Sequence, residues 1–153
     1  IIDFYNRLGA VLEKKNSGRQ VPVGDEGGYS LDFKNNFEPI AVLENLIRAR
    51  GLTSGLALAL DAAATGFYQK GAYVFGGKKF DSDGLLEEYM SYFRRSKLLF
   101  SIEDPYADED LDGFSLLALI FCGTDSLAGF SVFGFTTSFF GSSTSFIFNF
   151  IIF

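Results

Sequence analysis

The chain has 153 residues, 19 acidic and 13 basic side chains, and a net charge of −6 with a pI of about 4.6, a balance that argues against a nucleic-acid partner. It contains no histidine, which excludes histidine-based catalysis and most zinc sites, and its single cysteine, Cys122, excludes an internal disulfide and suits a reducing compartment. The length suffices for one domain with a core, yet amounts to roughly half to two thirds of a (β/α)8 barrel.

The opening, IIDFYNRLGAVLEKK, has no basic segment ahead of an apolar run, so no signal peptide is predicted. It also lacks an initiating Met, and the chain is expected to begin inside a longer protein. Residues 3–15 place Phe4, Leu8, Val11 and Leu12 on one helical face, and Ser17-Gly18 ends that helix. Residues 21–23 form a short apolar strand candidate that runs into Gly24-Asp25-Glu26-Gly27-Gly28. A helix is predicted over 38–50, with Ile40, Leu43, Leu46 and Ile47 sharing a face, Asn36 as its cap and Gly51 as its end. Residues 56–60 are wholly apolar, as a parallel strand covered on both faces requires, and Asp61 follows directly. Residues 73–80 read as a small excursion. A third helix follows over 83–95, with Leu86, Tyr89, Met90 and Phe93 inward. Residues 98–102 form the next apolar strand, Glu103 and Asp104 follow it, Pro105 stops it, and another helix starts near Leu111. Strands alternating with helices predict an α/β fold with a parallel sheet.

The composition breaks near Phe114, and no charged residue follows Asp125. We divide the chain into a domain at 1–117 and a low-complexity apolar tail at 118–153, foreign to that domain. The tail is built largely of Phe, Ser, Thr, Gly and Ile and shows neither a helical nor a two-residue period. Three readings of it stand open. Roughly 28 uncharged residues are long enough to span a bilayer, although Ser, Thr and Gly are frequent and flanking Lys or Arg is missing. It can supply buried barrel strands, or it can be a shifted reading frame or a read-through. Exposed, it would be an aggregation hazard.

An isolated Asp61 is readily explained as a helix cap or a turn carboxylate. A glutamate at a strand end, Glu103, is less easily a cap. Two carboxylates at the ends of successive parallel strands converge on one mouth, where they can hold a hard divalent cation. Asp25 and Glu26 lie among glycines that permit positive φ. That turn is either an ordinary acidic one or a mobile loop carrying an acid catalyst. Asp108, Glu109 and Asp110 read as a solvated face at a helix start, and Lys78-Lys79 as surface.

Taken in order, VGDEGGY, LALDAAATGFY and SIEDPYADEDLDGF resemble the motifs of enolase (phosphopyruvate hydratase). The resemblance covers about residues 1–117, a middle part of the TIM-like C-terminal barrel, so a partial (β/α) barrel is expected. It implies a cytoplasmic, usually homodimeric glycolytic lyase that dehydrates 2-phosphoglycerate to phosphoenolpyruvate with Mg2+. It implies Glu26 as the proton-donating acid, Asp61 and Glu103 as metal ligands, and Glu103 also as a substrate contact. A third metal ligand is implied on the following strand. Asp125, in GTDSLAG, is the nearest candidate but comes a little early, and the distance suits LAGFSVF better, where Phe130 and Ser131 stand.

The chain departs from the family in other ways. Its last lysine is Lys97, so the family's lysine base on a later strand is missing, as are the histidine loop and the lysine and serine that hold phosphate. Thr65-Gly66 replaces a usual Ser-Glu, and Phe37 replaces a polar residue. The chain alone is therefore expected to be inactive, and a membrane partner is not expected. The alternative is a non-catalytic, membrane-attached or self-associating protein that keeps the barrel pieces as scaffold.

Overall fold

The computed structural model describes residues 2–25, 27–122, 131–133 and 149–152, with side chains through residue 118. Helix α1, Ile2–Lys15, buries Phe4 and Leu12, while Asp3 in its first turn and Lys14 and Lys15 in its last suit the helix dipole. Helix α2, Glu38–Ala49, buries Ile40, Leu43 and Ile47 as its spacing predicts. Its start is held by Asn35 rather than Asn36: the Asn35 Oδ1 accepts from the N–H groups of Phe37 and Glu38, each at 3.1 Å. Gly51, at φ +66°, ends it in a conformation that favours glycine.

Residues 21–23 do not form the predicted strand. They reach a partner only through one antiparallel bridge, Val23 to Tyr29, because the chain turns back at once through the glycine loop. Strand β1, Leu58–Asp61, leads through a 3-10 turn at Ala64–Phe67 into a small antiparallel sheet of β2 (Tyr68–Gln69), β3 (Ala72–Phe75) and β4 (Lys78–Phe80). This sheet is the predicted excursion. Gly76 and Gly77, both at positive φ, close the β3–β4 hairpin. Helix α3, Ser82–Arg95, is capped by the Asp81 Oδ1, which accepts from the Gly84 N–H at 2.8 Å. Strand β5, Leu99–Glu103, and helix α4, Leu111–Cys122, follow.

The main sheet has the order β6-β5-β1-β7, with β6 at Ser131–Phe133 and β7 at Asn149–Ile152. β5 lies parallel to β1 and to β6, as expected of a barrel segment. β7 runs antiparallel to β1, a departure from the all-parallel order that the alternating pattern predicts. The sheet is open, so the barrel is partial. Of the tail at 118–153, only the end of α4 and the backbones of these two strands fall within the described residues. Among the described residues no helix is long and apolar enough to cross a membrane.

Period-two alternation gives β1 and β5 two unlike faces. Leu58, Leu60 and Ile102 join the core with Ile40, Leu43 and Ile47 of α2 and Leu85, Leu86, Tyr89 and Tyr92 of α3. Each such burial contributes about 1.5–3 kcal/mol relative to exposure. The other face carries Ala59, Asp61, Ser101 and Glu103. Met90 and Phe93, predicted inward, are only partly buried against the core. Tyr73, Tyr92 and Tyr106 are fully buried. Phe37, unusual in the resemblance, packs 6.0 Å from the Tyr92 ring and lies under the Arg95 guanidinium at 3.6 Å, a cation–π contact that suits an aromatic residue there.

Candidate active site

The register of β1 against β5 decides which side chains meet. Asp61 stands opposite Glu103, Leu60 opposite Ile102 and Ala59 opposite Ser101, but Leu58 stands opposite Leu99. Phe100 is thus an extra residue in β5. Were Phe100 paired in step with Ala59, the register from Leu58–Leu99 onward would set Ile102 against Asp61. The irregularity moves the register by one, which is enough to exchange the two faces of a strand, and it brings the two carboxylates level.

Both residues are the last of their strands and both are half-buried. Beyond them the two chains are tied together: the Glu103 carbonyl accepts from the Ala62 N–H at 2.9 Å and the Asp104 carbonyl from the Ala64 N–H at 3.0 Å. The Asp61 Oδ1 accepts from the Ala63 N–H at 3.1 Å. Ala63 and Asp104 both take φ +44°, a left-handed conformation that costs a non-glycine residue about 1–3 kcal/mol and is concentrated at functional sites.

The row continues onto β6, where Phe133 is the register partner of Glu103 and Ser131 that of Ser101. Sequence spacing put Phe130 and Ser131 at the third ligand position. In the register the β6 residue level with Glu103 is Phe133, and phenylalanine has no oxygen donor. Asp125 lies before β6 and outside the described residues. Among the described residues, no group of three acidic, cysteine or histidine side chains comes together to hold a metal. Asp61 and Glu103 therefore present two hard oxygen donors, a set that fits a cation keeping most of its own water.

Glu26 also lies outside the described residues, and the loop around it is defined by its neighbours. Gly24 donates to the Gly28 carbonyl at 2.8 Å and Gly27 to the Gly24 carbonyl at 2.9 Å. The Tyr5 hydroxyl donates to the Gly27 carbonyl at 2.7 Å, and the Tyr5 and Tyr29 rings stack at 4.6 Å. The loop is thereby seated on α1. Asp25 is exposed.

Two buried carboxylates that sequence reasoning missed support this arrangement. Glu44 of α2 accepts, through its Oε1, from the Ser96 Oγ (2.6 Å), the Lys97 N–H (2.9 Å) and the Leu98 N–H (3.0 Å), which fixes where β5 begins. Asp110 was read as part of a solvated face. Asp108 and Glu109 are exposed, but Asp110 is buried. Its Oδ2 accepts from the Tyr73 hydroxyl and the Ser82 Oγ, both at 2.6 Å, and its Oδ1 from the Gly113 N–H at 2.9 Å, which caps α4. Burial alone would raise the Asp110 pKa, but the hydrogen bonds from Ser82, Tyr73 and Gly113 outweigh it and hold the carboxyl below its ordinary value. The Tyr73 phenol is pushed far up, by burial first and then by its bond to Asp110. The cap itself was legible as an acidic residue just before an apolar helix. Its partners were not.

A cleft of about 720 Å³ lies elsewhere, between residues 31–36 and the β3–β4 hairpin, and it includes neither Asp61 nor Glu103.

Residues 2–125 match the family described as enolase, C-terminal TIM barrel domain. The enolase of Thermococcus gammatolerans is 36% identical over 137 residues, 87% of this chain and 32% of that protein. The enolase of Methanopyrus kandleri is 39% identical over 118 residues, 74% of this chain and 27% of that protein. The enolase of Campylobacter jejuni is 38% identical over 107 residues, 69% of this chain and 26% of that protein. The chain thus spans about a third or less of the length of these relatives.

Proposed function

Because the chain belongs to the enolase family, as part of its C-terminal TIM barrel domain, we propose that it derives from a cytoplasmic, homodimeric enzyme that dehydrates 2-phosphoglycerate to phosphoenolpyruvate with Mg2+. We also propose that these 153 residues alone give no turnover. One observation carries the metal part of this reading: Asp61 and Glu103 are register partners at the C-terminal ends of parallel neighbours.

In this reading Asp61 and Glu103 hold the cation. When bound, Mg2+ supplies the concentrated positive charge that makes a proton beside a carboxylate removable. Glu103 also borders the substrate. Glu26 is assigned the acid that helps hydroxide leave from C3. The third metal position falls to Asp125 or to water. No residue is assigned to take the C2 proton. The last lysine, Lys97, precedes β5 and so lies at the end of that strand opposite Glu103. The reading of residues 118–153 as foreign to the domain is supported by the absence of charge after Asp125, while the family match runs on to residue 125 and the Thermococcus gammatolerans match covers 87% of the chain. Translating the source DNA in its other frames tests it. Recovery of the family's acidic, lysine and histidine motifs there is expected, and their absence in every frame would count against it.

Two assays test the remainder. A coupled assay for phosphoenolpyruvate is expected to show no product, and Mg2+-dependent formation would overturn the claim of inactivity. Titration with Mn2+, followed by electron paramagnetic resonance, is expected to show weak binding that disappears in the Asp61→Asn, Glu103→Gln double variant. Binding unchanged in that variant would remove these residues from the site.

A further inference from the structure

We propose that the buried Tyr73–Asp110 pair is a positioning device for Glu103: it pins the segment leaving β5 to the hairpin that follows β1 and so keeps the two strand-end carboxylates level. The inference rests on reading Asp61 and Glu103 as cation ligands.

Every residue that leaves β5 is tethered. The carbonyls of Glu103 and Asp104 accept from Ala62 and Ala64. The Pro105 carbonyl accepts from the Tyr89 hydroxyl at 2.9 Å, and the Tyr106 hydroxyl donates to the Ser82 carbonyl at 3.2 Å. The last tether differs in kind. The Tyr73 hydroxyl accepts from the Ala107 N–H at 3.0 Å and donates to the Asp110 Oδ2 at 2.6 Å, and the Asp110 N–H returns to the Ala107 carbonyl at 2.8 Å. Three residues thereby close a ring of hydrogen bonds. The same carboxylate holds Ser82 at the start of α3 and Gly113 at the start of α4, so one side chain joins β3, α3 and α4 around the exit of β5.

The ring is almost dry. Tyr73 and Tyr106 are fully buried, Ala107 is 1% exposed and Asp110 is 9% exposed. Burying a carboxylate is costly unless its lone pairs are filled. The Asp110 side chain is filled by the Tyr73 hydroxyl, the Ser82 hydroxyl and the Gly113 amide. Such a group contributes less to stability than to selecting one geometry over its neighbours. The geometry it selects is the path of 104–107, immediately beyond Glu103. Close packing enforces it, since a Cβ on Gly113 would lie 2.6 Å from a Tyr106 ring carbon and 2.7 Å from the Asp110 Oδ2.

Tyr73→Phe removes the one atom that serves both bonds and leaves the ring packing against Phe67, Tyr68 and Tyr106. In the full chain, with Mn2+ as the probe, this variant is expected to bind about tenfold more weakly, the size of effect seen when a supporting partner of a metal ligand is lost. Leu46→Ala, a change against the core on α2, serves as the control and is expected to lower stability without changing the affinity of the folded chain. Amide exchange at Ala62 and Ala64 is expected to quicken about tenfold in Tyr73→Phe and not in the control. Asp110→Asn keeps an acceptor and is expected to fall between. Unchanged exchange at Ala62 and Ala64 in Tyr73→Phe, or equal weakening of Mn2+ binding by Leu46→Ala, would overturn the positioning role. Absence of Mn2+ binding in the unsubstituted chain would sink the cation reading and the purpose assigned to the pair, and the exchange rates would still decide whether the pair holds the segment.

Discussion

Glu44→Ala is the sharpest test of how β5 is placed. The Glu44 Oε1 gathers Ser96 Oγ and the amides of Lys97 and Leu98 within 3.0 Å, and the residue is 9% exposed. Removing it strands the Lys97 amide and the Ser96 hydroxyl, while the Leu98 amide keeps the Ser96 Oγ as acceptor at 3.3 Å. A stranded buried donor costs about 1–3 kcal/mol. The Lys97 amide is only part-buried, so water relieves some of that cost and the lower figure applies to each of the two groups. The sum is about 2 kcal/mol, and alanine's better helix propensity returns only a few tenths. Against an ordinary total of about 5–15 kcal/mol this is a large fraction. It is expected to lower the urea midpoint, followed by far-UV circular dichroism, by about 1–2 M. Glu44→Gln keeps one acceptor oxygen and is expected to lose about half as much. A loss below about 0.5 kcal/mol for Glu44→Ala, the range of an ordinary surface change, would refute the claim that this carboxylate anchors the strand.

Gly113→Ala would normally favour a helix by about 1 kcal/mol, but the contacts at 2.6 and 2.7 Å reverse the sign. Urea denaturation is expected to show a loss of about 1–3 kcal/mol, and a gain would refute the packing described. The phenols of Tyr73, Tyr89, Tyr92 and Tyr106 are all raised above their ordinary value of 10.0, chiefly by burial. The folded chain therefore keeps protons that the unfolded chain releases, so this contribution is complete below pH 10 and falls as the pH rises beyond it. Tyrosinate absorbance from these four is expected to appear together with loss of the circular dichroism signal, and ionisation with the fold intact would refute it. Phe133→Asp places a third carboxylate in the row with Asp61 and Glu103 and is expected to raise Mn2+ affinity about tenfold. Val132→Asp, one position out of step, is the control, and an equal rise there would refute the register.

Apolar spacing is a local signal, and it located α1, α2, α3, β1 and β5 to within about two residues of where they stand. The acidic ends of β1 and β5 were legible for the same reason, since each follows an unbroken apolar run. What was illegible depends on distant partners. Residues 21–23 carry a strand's composition but, among the described residues, form only the isolated bridge of Val23 to Tyr29. Glu44 is an acidic residue in a largely apolar helical run, yet nothing near it announces Ser96, 52 positions away. Asp110 looks like its exposed neighbours Asp108 and Glu109, and its burial is set by Tyr73, 37 positions earlier. The extra residue Phe100 leaves no mark in an apolar run, because a strand pattern gives the alternation of faces but not the register against a neighbour.

The distribution of the candidate ligands over separate strands has a chemical consequence. Asp61 ends β1, Glu103 ends β5, and the third place in the row belongs to β6. The geometry of the first pair is set by the bulge at Phe100 and by Glu44, together with the tethers beyond Glu103. All of these lie before residue 114 and none involves β6. In the proposed reading, phenylalanine at the β6 position level with Glu103 thus leaves one donor missing without displacing the other two. Proton abstraction requires a base that no residue after Lys97 can furnish as a lysine. In the proposed reading, cation contact and turnover are therefore separable: the first rests on a register built within residues 58–110, and the second on a lysine base that no residue after Lys97 supplies.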